Sequence, residues 1–346
     1  MTMICDLPND LEAEILSRVP ARSLSRLKTT CKRWYALFRD PRFVEKSKKF
    51  GRGVRESMLL TNHGDVYSIA GDLHNTLINT PIEVSGKLKG SKDLDFVEIF
   101  HCDGLMLCSA LGNSRLVPSS SGHSYKILRC FDYRNDQKVW VPQCEIYELR
   151  SDSWRVLDSF PLDYIMFRDG ISLKGNTYWV AGHNNIGYFL MKFDFTTERF
   201  VRLPLPIPIE RFVHRFVLSV VRDEKLSVLL IDDSSDYMSY HRSEAMRIWV
   251  SNKINEDANK DLSWRSDLFL DVDFDDYNMY FGSFLLDEEN KVAVLCCDID
   301  LVGDYYTTRI YIIGEDMLKQ VYGGTLKASR SNSSLVITYV PSLVRI

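Results

Sequence analysis

Apolar residues recur every three or four positions over residues 7–43 and every second position from Ser57 onward. The chain therefore changes once from helical to strand periodicity. In the first stretch Leu11, Ile15 and Val19 lie four residues apart, Asn9 and Glu12 have the spacing of a capping box, and Pro20 cannot continue a helix. Ser23 is placed to cap a second helix carrying Leu24, Leu27 and Cys31, which passes into Trp34, Leu37 and Phe38 before Asp40-Pro41 stops it. A break near Cys31 makes three short helices, which define a head at residues 1–45. So short a domain buries few large side chains, and its surplus apolar face calls for a partner.

Residues 46–55 are charged and glycine-bearing, which predicts a linker before a body at residues 56–346. The same basic stretch has the composition of a nuclear import signal, a pattern common on surfaces by chance. In the body one hairpin type turns at Cys102-Asp103-Gly104, Lys174-Gly175-Asn176, Asp223-Glu224-Lys225 and Glu288-Glu289-Asn290. A second type falls between them, turning at Ser151-Asp152-Ser153, at Thr196-Thr197-Glu198, between Val250 and Trp264, and at Gly314-Glu315-Asp316. The alternation repeats at roughly 50 to 65 residues, near the repeat of kelch propeller blades. Two hairpins per unit predict four-stranded blades, five or six of them, with Ile337-Thr338-Tyr339-Val340 closing the ring on an early strand. A β-sandwich would explain the hairpins but not their alternation. The fold class expected is thus α+β and multidomain, a small helical head before an all-β, propeller-like body.

Composition adds limits. The 346 residues are 45% hydrophobic and 26% charged, with no run of 18 apolar residues, and Asp6, Asp10, Glu12 and Glu14 occupy the place of a secretory signal's apolar stretch. The expectation is a chain that neither enters a membrane nor carries a signal peptide. Eight cysteines without a Cys-x-x-Cys pair predict reduced thiols, in the cytoplasm or the nucleus. Cys102 and Cys108 beside His101 read as small core residues, so no metal and no cofactor is assigned. The net charge of −4 divides unevenly: residues 1–55 hold 13 Lys and Arg against 6 Asp and Glu, the remainder 30 against 41.

The set Leu7-Pro8, Leu11, Glu14-Ile15-Leu16, Val19-Pro20, Ser23-Leu24, Leu27, Cys31-Lys32, Trp34, Leu37 and Asp40-Pro41 resembles the F-box motif end to end. That resemblance implies docking on the Skp-type adaptor of cullin-based ubiquitin ligases. The positions implied to face the adaptor or form the core are Leu7, Pro8, Leu11, Ile15, Leu16, Leu24, Leu27, Cys31 and Trp34. Thr30 stands where the family often has a β-branched aliphatic residue. Arg22, Arg26, Lys28, Lys32 and Arg33 then read as a solvated face suited to an acidic adaptor, with no aromatic interleaving to indicate nucleic acid.

Further phrases, among them Cys102-Asp103-Gly104-Leu105, Ser151-Asp152-Ser153-Trp154-Arg155-Val156-Leu157 and Phe193-Asp194-Phe195-Thr196-Thr197-Glu198, resemble the F-box-associated domain of a large plant family. There the Cys-Asp-Gly-Leu element is followed by a strand with a Trp-Asn-Pro turn. Here Leu116-Val117 runs straight into Pro118-Ser119-Ser120-Ser121-Gly122. One blade is therefore expected to lack strands and expose an edge, with 118–124 as a surface loop.

Asp271, Asp273 and Asp275 open like a calcium loop, but Asp276 replaces the required glycine and Gly282 the closing glutamate. No phosphate loop, nucleophile elbow or zinc-protease motif occurs. The combined resemblance implies a non-catalytic substrate receptor of a Skp, cullin and F-box (SCF) ligase, joined through the adaptor to cullin and RING subunits. Rival readings are an adaptor-binding protein without a ubiquitylation role and a propeller enzyme fused to an F-box. Target contacts are expected from aromatic and histidine residues of the body: Trp179, His183, Tyr237, Tyr240, His241, Tyr277, Tyr280, Tyr305 and Tyr306.

Overall fold

A computed structural model of the chain describes residues 7–19, 21–50, 56–61, 65–70, 83–87, 98–102, 105–109, 115–121, 124–138, 140–157, 165–166, 170–183, 187–206, 214–232, 243–254, 262–273, 279–301, 305–315, 317–327 and 333–339. The head holds four helices rather than three: α1 (Asn9–Ser17), α2 (Ala21–Leu27), α3 (Lys32–Leu37) and α4 (Pro41–Phe50). Asp40-Pro41 starts a helix instead of ending the domain. The Asp40 carboxylate accepts from the Arg42 amide at 2.8 Å, and proline suits the first helical position because the amide it lacks would be unsatisfied there anyway. α4 thereby takes in residues 46–50, the first half of the expected linker.

Leu16, Leu24, Phe38 and Phe43 form the head's core, with Val19, Leu27, Trp34 and Leu37 packed around it. Asn9 and Glu12 do not make the expected capping box, since Pro8 is the N-cap of α1 and no side chain caps it. Glu12 is buried instead, accepting from the Trp34 indole at 2.6 Å and pairing with Arg33 at 2.5 Å, which ties α1 to α3. Ser23 lies inside α2, not at its cap. The break at Cys31 is as expected, with its sulfur accepting from the Trp34 amide.

The body begins with β1 (Glu56–Leu60), β2 (Val66–Ala70) and β3 (Glu83–Lys87), followed by a two-stranded sheet of β4 (Glu98–Cys102) and β5 (Leu105–Ser109). The second blade is β6 (Arg115–Ser121), β7 (Ser124–Arg134), β8 (Trp140–Glu148) and β9 (Ser153–Val156). The third comprises β10 (Ile165–Met166), β11 (Ile171–Leu173), β12 (Asn176–His183), β13 (Gly187–Asp194) and β14 (Arg199–Leu203). The fourth is β15 (His214–Val221), β16 (Lys225–Asp232), β17 (Ser243–Ser251) and β18 (Trp264–Asp273). The fifth is β19 (Met279–Asp287), β20 (Val292–Leu301), β21 (Tyr305–Gly314) and β22 (Met317–Lys327). Finally β23 (Leu335–Tyr339) returns to pair antiparallel with β1, so first and last segments complete one blade and close a five-bladed propeller.

Successive residues of a strand point to opposite faces, so near-continuous apolar runs such as 292–297 on β20 bury both faces, and neighbouring blades stack through them. Phe193 and Trp179 meet Leu128 and Ile146 between blades two and three. Val228 and Leu218 meet Leu190 and Val180 between three and four. Ile248 and Leu270 meet Phe284 and Leu295 between four and five, and Val294 and Ile312 meet Leu59 and Ile69 between five and one. Both predicted hairpin types are present. β11 and β12 are joined by Lys174 and Gly175 with φ of 48° and 73°, the left-handed pair that a two-residue hairpin turn requires.

At this tight-turn end the blades are linked by ion pairs. Glu198 joins Arg155 and Lys126 across blades two and three, and Glu288 joins Lys225 and Arg265 across four and five. Burial raises the Glu198 and Glu288 carboxyls, but their cationic neighbours outweigh it and hold both below the ordinary value of 4.5. A carboxyl held low in the folded state contributes stability above its unfolded pKa and loses it as pH falls through the folded one. The midpoint of thermal unfolding should therefore drop as pH falls below 4.5, each pair contributing about 1 kcal/mol or less. Glu198→Gln with Glu288→Gln should flatten that fall, as should about 0.5 M salt. An unchanged acid profile in the double variant would exclude the pairs as its cause.

Two sequence expectations need correction. Residues 115–121 are not a loop but β6, paired along their whole length with 124–130. β6 is an edge strand of its sheet, the place in a sheet where proline is ordinarily accommodated. The thiols are not all free either. Cys130 and Cys144 stand directly opposite each other in β7 and β8, buried, with Cα atoms 4.2 Å apart and joined as a disulfide. Residues 14 apart in sequence become neighbours only once the hairpin register is set, so spacing gave no signal. Alkylation without reductant should leave both unlabelled, and reduction should cost at most about 3 kcal/mol for a loop of this size. Free labelling of both in the untreated protein would contradict the pairing.

Candidate functional site

The nine predicted head residues separate into two groups. Leu16 and Leu24 are core, while Leu27 and Trp34 are half-buried against it. Leu11 and Ile15, one turn apart on α1, are 53% and 43% exposed, with exposed Pro8 before them and half-buried Leu7 at the edge. Cys31 is exposed at the start of α3. Two aliphatic residues in water on one helical turn, beside a fully packed opposite face, make an unpartnered apolar strip. Beside it Glu14 binds Lys46 of α4 at 2.5 Å and Arg18 at 2.8 Å, and these cations, Lys46 first, hold its carboxyl below the ordinary range. The Thr30 hydroxyl donates to the Leu27 carbonyl at 2.6 Å, giving the polar atom of that departure from the family pattern a local partner.

Antiparallel order sends the remaining connections of each blade to the end opposite the tight turns. His183 closes β12 at that end, Tyr280 lies near the start of β19, and Tyr305 and Tyr306 open β21. Tyr280 is 48% exposed, with the Arg215 guanidinium 5.7 Å from its ring centre and hydrogen-bonded to the Met279 carbonyl. Tyr237, Tyr240, His241 and Tyr277 lie outside the described residues, as do the side chains of His183, Tyr305 and Tyr306. Trp179 is no surface residue. It alternates inward with Ala181 on β12 and is fully buried between blades two and three.

Sequence reasoning passed over Tyr133, Trp154 and Val156, which are 39%, 42% and 53% exposed on blade two. Trp154 and Val156 alternate on β9 and so share a face, a signal available in the Ser-Trp-Arg-Val phrase. Among the described residues no three His, Cys, Asp or Glu side chains are grouped to hold a metal, and no helix is long and apolar enough to cross a membrane.

Comparison with known proteins agrees with both halves. Residues 4–46 match the F-box domain, and residues 117–346 match the F-box associated beta propeller domain. An F-box/kelch-repeat protein of Arabidopsis thaliana is 48% identical over 384 residues, covering 99% of this chain and 93% of the relative. A second is 44% identical over 385 residues, covering 99% and 96%. Both alignments are longer than this 346-residue chain, so the relatives carry residues that have no counterpart here. The chain belongs to the family of F-box proteins in which the helical domain is followed by an F-box-associated β-propeller.

Proposed function

We propose that the protein is the substrate-recognition subunit of an SCF ubiquitin ligase. The observation that carries the reading is the exposed Leu11 and Ile15 strip on an F-box otherwise packed to its core. An apolar helical face of that kind fits the groove of a Skp-type adaptor, through which cullin and RING subunits are recruited. The propeller offers the target surface, with Tyr280 on Arg215 as a described aromatic anchor at its loop end. The chain then needs no active site, because holding a target beside a charged ubiquitin carrier raises the effective concentration of its lysines. Cytoplasm, nucleus or both is the compartment this role implies.

Reconstitution tests the proposal. The full chain mixed with a Skp-type adaptor should elute as a one-to-one complex. With cullin, RING subunit and ubiquitin-charging enzymes added, it should itself acquire ubiquitin only when the adaptor is present. Adaptor binding without ubiquitin transfer would favour an adaptor-bound role outside degradation, and no adaptor complex would end both readings.

A further inference from the structure

The turns at the tight-turn end carry an unusual choice of residue. Lys174, Glu198, Arg222 and Lys291 hold φ of 48°, 56°, 54° and 53°, the left-handed region that glycine, asparagine and aspartate enter at lower cost. A tight turn imposes that conformation on whichever residue stands there, so a long charged residue weakens the turn unless it gains something elsewhere. Asp152 and Asp223, with φ of 50° and 55° at the same end, are of the type that the conformation accepts readily.

Each of the four long residues reaches across a blade boundary. The Lys174 ammonium of blade three donates to the Ile254 carbonyl of blade four at 2.7 Å. Glu198 of blade three accepts from Lys126 of blade two at 3.0 Å and pairs there with Arg155 as well. Arg222 of blade four meets Glu289 of blade five at 2.6 Å, and Lys291 of blade five returns to Asp267 of blade four. Asp267 is the extra residue of a bulge in β18, where Ser266 and Leu268 face the consecutive residues Trp249 and Ile248, and its side chain is fully buried. Lys138 makes the contrast. It holds φ of 60° in the turn between β7 and β8 at the opposite end, and among the described residues its side chain bonds to no other blade.

We propose that Lys174, Glu198, Arg222 and Lys291 are fasteners built into the ring, each accepting a strained turn in exchange for a bond that holds the neighbouring blade. They close one end of three successive boundaries, between blades two and three, three and four, and four and five. The blade spacing from which the loops of the opposite end project is thereby set at this rim. Their strengths differ. The Arg222 and Glu289 side chains are 54% and 72% exposed, so water and salt screen that pair most. Lys291 meets a carboxylate closed off from water, and without it Arg265 is the described cation left to balance Asp267. The fastening is independent of what the propeller binds.

Asparagine suits the left-handed turn but is too short to cross the boundary, so it separates the two effects. In the full chain, Lys174→Asn and Lys291→Asn should each lower the midpoint of thermal unfolding by about 2 °C or more, although the turn itself is relieved. Lys138→Asn should leave the midpoint unchanged or raise it. Lys291→Arg, which keeps a cation of sufficient reach, should retain most of the midpoint. Arg222→Asn should have a small effect that about 0.5 M salt removes, whereas the loss in Lys291→Asn should persist in that salt. Amide exchange should rise over 264–268 and 292–294 in Lys291→Asn, and over 173–177 in Lys174→Asn, ahead of the rest of each blade. Midpoints as high as the parent's in both variants, or an equal fall in Lys138→Asn, overturn the fasteners. A fall without the local rise in exchange overturns them too, because it places the effect away from the boundaries. If Lys291→Asn does not fold, Lys174→Asn, which removes one hydrogen bond, decides by the same criteria.

Discussion

Leu11→Gln combined with Ile15→Gln is expected to abolish capture of a Skp-type adaptor while the chain stays folded. Both side chains stand largely in water, so exchanging them for another good helix former takes nothing from the head's own core. At an interface each buried aliphatic side chain contributes about 1.5 to 3 kcal/mol, so the pair should lower affinity by about a hundredfold or more. Leu16→Ala makes the informative contrast. It empties the core beside Leu24 and Phe38 and should cost about 2 to 5 kcal/mol of head stability. Titration of the adaptor, with helical circular dichroism as the folding control, separates the two. Undiminished affinity in the double variant would move the adaptor contact off α1.

The second large effect is expected where the ring closes. The Asp298 carboxylate on β20 is buried and accepts from the Ser334 amide at 2.7 Å, the Ser334 hydroxyl at 2.6 Å and the Thr308 hydroxyl at 2.8 Å. Ser334 leads directly into β23, the strand that joins the fifth blade's neighbourhood to β1. Asp298→Ala removes the acceptor of the Ser334 amide and of both hydroxyls; the Thr308 and Ser334 hydroxyls, 2.7 Å apart, can then bond each other, which leaves the amide and one hydroxyl stranded at about 1 to 3 kcal/mol each. A loss of at least about 2 kcal/mol is expected, read from denaturant unfolding. Gly282→Ala should act at the same seam, because a Cβ there would overlap the Ser334 carbonyl. Amide exchange should rise first over 335–339 in both variants. Uniform exchange with unchanged stability would show that the closure does not depend on this network.

Burial raises the Asp298 carboxyl despite those bonds, so its pH dependence runs opposite to that of the rim glutamates. A folded pKa above the unfolded one means stability recovered as pH falls toward the ordinary 3.8 and below. Asp298→Asn should therefore deepen the acid fall that Glu198→Gln and Glu288→Gln flatten.

The periodicities carried much of the fold. Alternation marked hairpins at Gly175, Glu224 and Glu289 because each needs only local turn chemistry, and closure by a last apolar strand on an early one was legible, whereas its register on β1 is set by the fold. Signals with two meanings were read less well. Asp40-Pro41 both ends and begins helices, and Pro118 among serines suits a loop as well as an outside strand. Glu12 had a local spacing that suggested a cap, whereas its partner is Trp34 two helices later. Trp179 has the residue type of a binding surface, and only the facing of β12 shows that it is core. All four residues of β9 are exposed, Trp154 among them, which the period-two alternation within β9 does not reveal.

The central claim is that the head delivers what the propeller holds to ubiquitylation. Its most direct test is quantitative proteomics of cells expressing either the intact chain or the Leu11→Gln, Ile15→Gln variant. Proteins that co-purify with each chain are identified under proteasome blockade, and their abundance is followed without it. The account predicts a set of proteins bound equally by both chains through the propeller, carrying ubiquitin and falling in abundance only with the intact one. Co-purifying proteins whose ubiquitin content and abundance are the same with either chain would contradict it.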